Sequence, residues 1–414
     1  MTRCVVVGSG AREHALAWAL AKNTDVAVTP GNAGIAAHGI TCVETAATKL
    51  EADLFVIGPE QPLVEGLADR LRAQGKVVVG PGAEGSALEG SKAFMKEFLA
   101  AAGVPTAAFA TFSDEAEALT YLASMSPPYV VKTDGLAAGK GVLVTGDFDE
   151  ASRDVLDKLR GLSFGTAGTT VIIEEGLDGQ ECSLLVLCDG NDVVALVPAR
   201  DFKRVGDGDA GANTGGMGAF APMAAMTPAL VTEVMDQVVA PTVAELTRRG
   251  IDFRGVLYAG VMLTSRGPKL LEYNVRFGDP ETEVLAPLYG DGLYDLLARV
   301  GEGRLAGASI APTGAAVTVV LASYGYPQGS RRGDVIAGLG ADGQLAERVE
   351  GVTVFHAGTA LDARGRFVTD GGRVLAVTGV GATVPEARRR AYEGVSHINF
   401  EGRVMRSDIA LGAI

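Results

Sequence analysis

Leu271-Glu272-Tyr273-Asn274-Val275-Arg276-Phe277-Gly278-Asp279-Pro280-Glu281-Thr282-Glu283 opens as an apolar strand and gathers four carboxylates, an Asn and an Arg within twelve residues. Glu272, Asn274 and Arg276 alternate, so on a strand they project from one face. Two hard oxygen ligands and a fixed cation then stand side by side. Such a face is costly to bury unless a metal ion or an anion sits on it. The plainer reading is a solvated edge strand running into an acidic turn, and the rest of the chain has to decide.

At 414 residues and 47% apolar content the chain is expected to form two to four domains with proper cores. A net charge of −14, with no run of Lys and Arg, argues against a nucleic-acid partner, although local lysines can still hold small phosphates. Cys4, Cys42, Cys182 and Cys188 make no CxxC or Cys/His cluster, as expected of a reduced, cytoplasmic protein. Met1-Thr2-Arg3 leads straight into a strand without a signal peptide, and no apolar run approaches membrane-spanning length, so no membrane partner is expected.

Upstream, Cys4-Val5-Val6-Val7 is a short buried strand. It is followed by Gly8-Ser9-Gly10-Ala11-Arg12-Glu13-His14 and a helix from Ala15 to Ala21. Strand, glycine turn and helix can cradle a phosphate on helix N–H groups. A dinucleotide fingerprint would need a small residue where Glu13 stands and an acidic residue after the second strand. That strand, Val26 to Thr29, ends instead in Pro30-Gly31-Asn32-Ala33-Gly34. Leu54 to Ile57 ends in Gly58-Pro59-Glu60, Val77 to Val79 ends in Gly80-Pro81, and Leu63 to Gln74 reads as a helix between them. This pattern predicts a doubly wound parallel sheet with its ligand above the carboxyl ends, near the Gly8 and Gly31 loops. Both loops would also serve as plain structural turns. Ser91 caps a helix that Gly103 stops, with Lys92 in its first turn, the wrong end for a cation on the helix dipole.

In the middle of the chain, strands Tyr129 to Lys132 and Val142 to Val144 flank Thr133-Asp134-Gly135-Leu136-Ala137-Ala138-Gly139-Lys140-Gly141. Only three residues separate Gly135 from Gly139, Gly141 follows Lys140, and a strand comes next. The segment therefore reads as a hairpin lid over phosphates, or an ordinary long hairpin, and not as a P-loop. Val171 to Glu181 is a buried strand running into a polar turn whose backbone edge could pair with adenine. The Gly-rich Asp207 to Gly218 loop, holding Asn213 and Thr214, is long enough to suggest a functional role.

With these pieces in order the chain resembles the ATP-grasp ligases and, within them, the glycinamide ribonucleotide synthetase family. The resemblance spans essentially the whole chain. It rests on Pro30 to Gly34, Gly58 to Glu60, Glu89 to Phe94, Lys132 to Gly141, Lys203 to Gly206, Asn213 to Gly218 and, most narrowly, Arg276 to Glu283. It implies Mg2+ or Mn2+ on Glu272 and Asn274. ATP phosphates would lie on Lys92 and Lys132 beneath Gly139 and Lys140, adenine between Glu174 and Leu177, and ribose on Glu181. Arg276, Lys203 and Asn213 would line the reaction centre, with Arg276 meeting the glycine carboxylate or the phosphate transferred to it. Gly10, Gly31, Asn32, Gly34 and Glu60 would hold phosphoribosylamine, with Asp279 and Glu281 shaping the turn beside it. The family often has a His where this chain has Phe202.

The implied reaction joins a carboxylate to an amine, with ATP phosphorylating glycine before the ribosylamine nitrogen displaces phosphate. Such chemistry needs positioning and charge neutralisation more than a protein nucleophile. His14, His38, His356 and His397 suggest no triad, and His356 and His397 read as structural. The expected architecture is a multidomain α/β and α+β protein. It has an N-terminal doubly wound parallel sheet (1–103), a central ATP-grasp domain (104–310) with a small mobile lid over about 120–187, and a small β-rich α+β domain (311–414). A monomer acting on glycine and 5-phosphoribosylamine is expected. The rival is another ATP-grasp carboxylate–amine ligase, or a carboxylase of purine biosynthesis.

Overall fold

Short apolar runs that end in glycine build the first sheet of the computed structural model, which describes residues 3–135, 141–163 and 169–413. The expected roles of Gly139 and Lys140 lie outside the described residues. Thr41–Cys42, Val26–Pro30, Cys4–Gly8, Leu54–Ile57 and Val78–Val79 lie in that order, all parallel. Cys4–Gly8 is buried throughout, as expected for a parallel strand covered on both faces. The strand order reverses beside Cys4–Gly8, so a crevice forms at the carboxyl ends of this strand and Leu54–Ile57. The first helix starts earlier than its apolar pattern suggests and runs Ala11–Leu20. The helix expected over 63–74 is two, Glu60–Val64 and Leu67–Ala73, because Gly66 between them takes a left-handed conformation (φ 76°).

Two antiparallel sheets form the middle of the molecule. The smaller orders Phe109–Phe112, Val171–Glu175, Tyr129–Thr133 and Val142–Thr145. Helices Glu115–Ser124 and Phe148–Leu159 supply its own core through Ala118, Leu122 and Val155, packed on Val131 and Ile173. This unit spans 109–175, where 120–187 was expected. Gln180–Asp189 instead pairs along its whole length with Arg254–Thr264 in the larger sheet, between Val193–Ala195 and Gly267–Asn274. The Asp207 to Gly218 stretch is not structureless either. Ala210–Asn213 folds back on Arg204–Gly206 as a hairpin.

The third large sheet orders Arg200–Asp201, Gly218–Ala221, Ala315–Ala322, Arg373–Gly381 and Val352–His356. Two of its five strands come from before residue 311, so the C-terminal unit is joined to the middle of the chain by continuous strand pairing. Helix Val384–Ser396 buries Val384, Ala387, Ala391 and Val395 against it. Beyond Val352–His356, strand Thr359–Leu361 pairs with Phe367–Thr369 in a separate hairpin. All four cysteines are free. Among the described residues no helix is long and apolar enough to cross a membrane.

Candidate active site

Strand Gly267–Asn274 floors a cavity of about 910 Å³ that the small sheet faces from above. Arg276 lies just past the strand end, yet its Nη2 donates to Asn274 Oδ1 at 3.0 Å. Two carboxylates from the N-terminal part of the chain fix it, Glu89 at 2.8 Å and Glu60 at 3.3 Å. The second Glu89 oxygen accepts the Val275 N–H at 2.8 Å, so backbone and guanidinium are locked together. Burial alone would raise the Glu60 carboxyl, but Arg276 and Arg12 hold it below its usual range.

Glu272 faces Lys203 at 3.8 Å, and Lys203 also pairs with Glu181. Burial pushes the Glu272 carboxyl up. Lys203, Lys132, Lys92 and Arg276 together outweigh that and keep it ionised. Glu281 and Glu283 exclude the solvated-edge reading of this stretch, because both are buried. Glu281 accepts from Ser183 Oγ at 2.9 Å and Tyr258 OH at 2.5 Å. Burial and then the neighbouring Asp279 push the Glu283 carboxyl well above its usual range.

The cationic wall opposite comes from two elements. Ser91 caps helix Lys92–Ala102 and donates to Asp134 at 3.0 Å, which draws the helix start onto the loop after Tyr129–Thr133. Lys92 Nζ donates to the Gly135 carbonyl at 3.1 Å, and burial lowers its pKa. Lys132 Nζ lies 2.9 Å from Glu174 and donates to the Leu271 carbonyl at 3.3 Å. The Glu174 side chain is thus committed to lysine and its backbone to the sheet, between Phe109 and Val130, so the unpaired backbone lining the cavity begins past the strand end, at Gly176 and Leu177. Glu181, Lys203, Asn213 and Leu177 all line the cavity.

A smaller pocket of about 420 Å³ lies over Gly8 and Gly10. Glu13 fills the turn below it, accepting the Gly10 N–H at 2.6 Å and pairing with Arg12 at 2.6 Å. That explains structurally why the dinucleotide pattern fails at this position. Asp279 borders both cavities and is held at 2.9 Å by Arg373 from the C-terminal sheet. Glu60 lines the larger cavity.

Gly31, Asn32 and Gly34 line neither cavity, and packing explains why. Gly31 abuts Cys42, while Gly34 leaves no space for a side chain because the His356 ring lies against it. Asn32 caps helix Ala33–Ala37 and donates to the carbonyls of Ser9 (2.8 Å) and His356 (2.9 Å). Phe202 is buried between the guanidinium groups of Arg200 and Arg406, at 5.1 and 4.9 Å, a cation–π setting that a neutral aromatic ring satisfies. His356 is fully buried, with Nε2 at 2.7 Å from the Gly343 carbonyl.

Sequence reasoning missed Arg12, Glu89 and Arg373, which line the larger cavity, and Lys96, which is buried behind it. Lys96 follows Lys92 by four positions on one helix, a readable signal. Arg373 had none, because its partner Asp279 is 94 residues away.

The carboxylate of Glu272 and the amide oxygen of Asn274 are hard oxygen donors of the kind that suit a divalent ion. Among the described residues no three His, Cys, Asp or Glu gather as a self-sufficient cage. An ion here would complete its shell with ligand oxygens, as Mg2+ does on phosphates.

Two antiparallel sheets closing on a lysine-lined cavity with such an acidic floor are the architecture of the ATP-grasp enzymes, which bind ATP with divalent metal ions. Family models make this specific. The "Phosphoribosylglycinamide synthetase, ATP-grasp (A) domain" matches residues 90–282, the N domain of the same synthetase 2–89, and its C domain 316–412. The chain belongs to the phosphoribosylglycinamide synthetase family. It is 47% identical over 427 residues to a phosphoribosylamine–glycine ligase of Streptomyces coelicolor (99% of each chain). It is 46% identical over 423 residues to one of Mesorhizobium japonicum (99% of this chain, 98% of that one). The crystal structure of phosphoribosylamine–glycine ligase from Thermotoga maritima superposes with a TM-score of 0.89 at 37% identity, over 99% of this chain and 100% of that one. A biotin carboxylase domain from Hydrogenobacter thermophilus shares the fold alone, at TM-score 0.73 and 16% identity, over 98% of this chain and 92% of that one.

Proposed function

We propose that this chain joins glycine to 5-phosphoribosylamine, forming glycinamide ribonucleotide while ATP is cleaved to ADP and phosphate. One observation carries the reading. The lysine-lined cavity and the pocket over Gly8 and Gly10 share Arg12 and Asp279 as walls, so a nucleotide in one and a phosphosugar in the other meet beside Arg276.

Lys92 and Lys132 hold the nucleotide phosphates, and Glu272 with Asn274 would hold Mg2+ or Mn2+ between them. Bound ATP and its ion supply the phosphoryl group and much of the charge neutralisation. Arg276, clamped by Glu89 and Glu60, presents its remaining guanidinium face to the glycine carboxylate. One carboxylate oxygen attacks the terminal phosphorus and ADP leaves. The ribosylamine nitrogen then adds to the carboxyl carbon of glycyl phosphate and expels phosphate, forming the amide. The 109–175 sheet acts as a lid that keeps water from the acyl phosphate. Glu181 takes the nucleotide ribose, and the backbone between Glu174 and Leu177 takes adenine.

ADP release measured with glycine or phosphoribosylamine omitted in turn tests this. Turnover is expected only with both present. Equal ADP release when bicarbonate replaces glycine would overturn the assignment in favour of a carboxylase.

A further inference from the structure

We infer that Lys96 is a positioning residue for the nucleotide: its buried ammonium holds the Glu174 carboxylate and so leaves the Lys132 ammonium facing the phosphates. The inference rests on the larger cavity being the ATP site. Lys96 has no exposed surface and touches no ligand space, yet it stands one helical turn beyond Lys92 on helix Lys92–Ala102. A buried lysine is rare unless it is paired. Its partner is Glu174, 2% exposed, at 3.0 Å from Oε2. The other Glu174 oxygen lies 2.9 Å from Lys132 but has no aligned hydrogen bond among the described residues. One carboxylate therefore serves two ammonium groups, and the trio keeps a net positive charge. The aligned bond from Lys132 goes to the floor strand at Leu271.

Lys96 also ties the lid to that floor. Its Nζ donates to Thr106 Oγ1 at 2.8 Å, and the Thr106 hydroxyl donates to the Leu270 carbonyl at 2.7 Å. Thr106 lies on the segment entering the lid, and the Phe109 ring of the first lid strand lies 5.4 Å from the ammonium. Burial lowers Lys96 to about 8, against the opposing pull of Glu174. Without the Lys96 charge, Glu174 has only Lys132 to neutralise, and the Lys132 charge offered to phosphate is cancelled.

The test is Lys96→Met in the full chain, with calorimetric binding of ATP and of adenosine, and KM for ATP and glycine beside kcat. The ATP Kd should rise about tenfold or more, the scale of one charge-assisted contact. Adenosine, which lacks phosphates, should bind within about twofold of wild type, and the glycine KM should not move. Thr106→Val removes the hydroxyl that orients Lys96 without changing any charge. It should show a smaller loss of the same kind even if Lys96→Met fails to fold. Unchanged ATP affinity in a folded variant overturns the inference, as does an equal loss for ATP and adenosine. A wild-type chain that binds no ATP overturns the nucleotide reading itself, and the role of Lys96 with it.

Discussion

Glu272, Asn274 and Arg276 line one cavity, as their alternation suggests, although the strand stops at Asn274 and Arg276 reaches the cavity from beyond its end. What alternation could not show is how Arg276 is aimed. Glu89 and Glu60 arrive from residues more than 180 positions away, so the clamp exists only in the folded chain. Glu174 was read as an adenine neighbour, but its side chain turns inward because two lysines reach it from separate elements. Two predictions belong here. Glu272→Ala should abolish metal-dependent turnover, a loss of about a thousandfold or more, while far-UV circular dichroism stays unchanged. Wild-type activity in that variant would remove Glu272 from the metal site. Arg276→Lys should lower kcat/KM for glycine about a hundredfold, because a single ammonium cannot span Glu89, Asn274 and a substrate carboxylate together. A change confined to the ATP KM would contradict that role.

Elements were legible where apolar periodicity and glycine punctuation agreed, as in the parallel sheet and the capped helix after Ser91. They were misread where composition hid the pairing or a distant strand took over. The 204–213 hairpin looked like a loop because Gly and Asp dominate it, yet its backbone pairs with itself. The small antiparallel sheet ends earlier than the sequence suggests because Gln180–Asp189, apolar enough for either sheet, joins the larger one. The Pro30 to Gly34 loop, read from the sequence as a ligand cradle, also docks on the C-terminal sheet, which no local pattern announced. Gly34→Ala tests this docking. A Cβ there would stand 1.9 Å from the His356 ring, so the variant should unfold about 2–6 °C lower, the scale of an overpacked contact. ATP affinity should be unaffected. An unchanged unfolding temperature would mean the loop is not packed as described.

Across the whole molecule, three histidines lie where the first and third sheets meet. His14 Nε2 and His38 Nδ1 are 3.0 Å apart, and the His356 N–H donates to His14 Nδ1 at 2.9 Å. Burial holds His14 well below its usual range, with His356 and His38 adding to the effect, and burial pushes His356 down to about 4. An unfolded chain would protonate both near pH 6.5, so below that pH it binds more protons than the folded one. The contribution of these two histidines should therefore be level above about pH 6.5 and fall as pH drops toward 4, against the opposite slope of the raised Glu283 and Asp201 carboxyls. His356 alone would account for about 2 kcal/mol by pH 5. Urea unfolding of the wild type beside His356→Gln across pH 4.5–7.5 isolates this: the stability of the wild type relative to the variant should drop as pH falls, and a constant difference would contradict it. No local pattern announced the junction, since His14 and His356 are 342 positions apart.

Transfer of one glycine oxygen to phosphate follows directly from activation of the carboxylate beside Arg276, and no other arrangement of the same substrates requires it. With glycine labelled by 18O in both carboxyl oxygens, and ATP and phosphoribosylamine present, the released phosphate should carry one 18O, read by mass spectrometry. Unlabelled phosphate, or phosphate that takes its new oxygen from labelled water, would contradict the account.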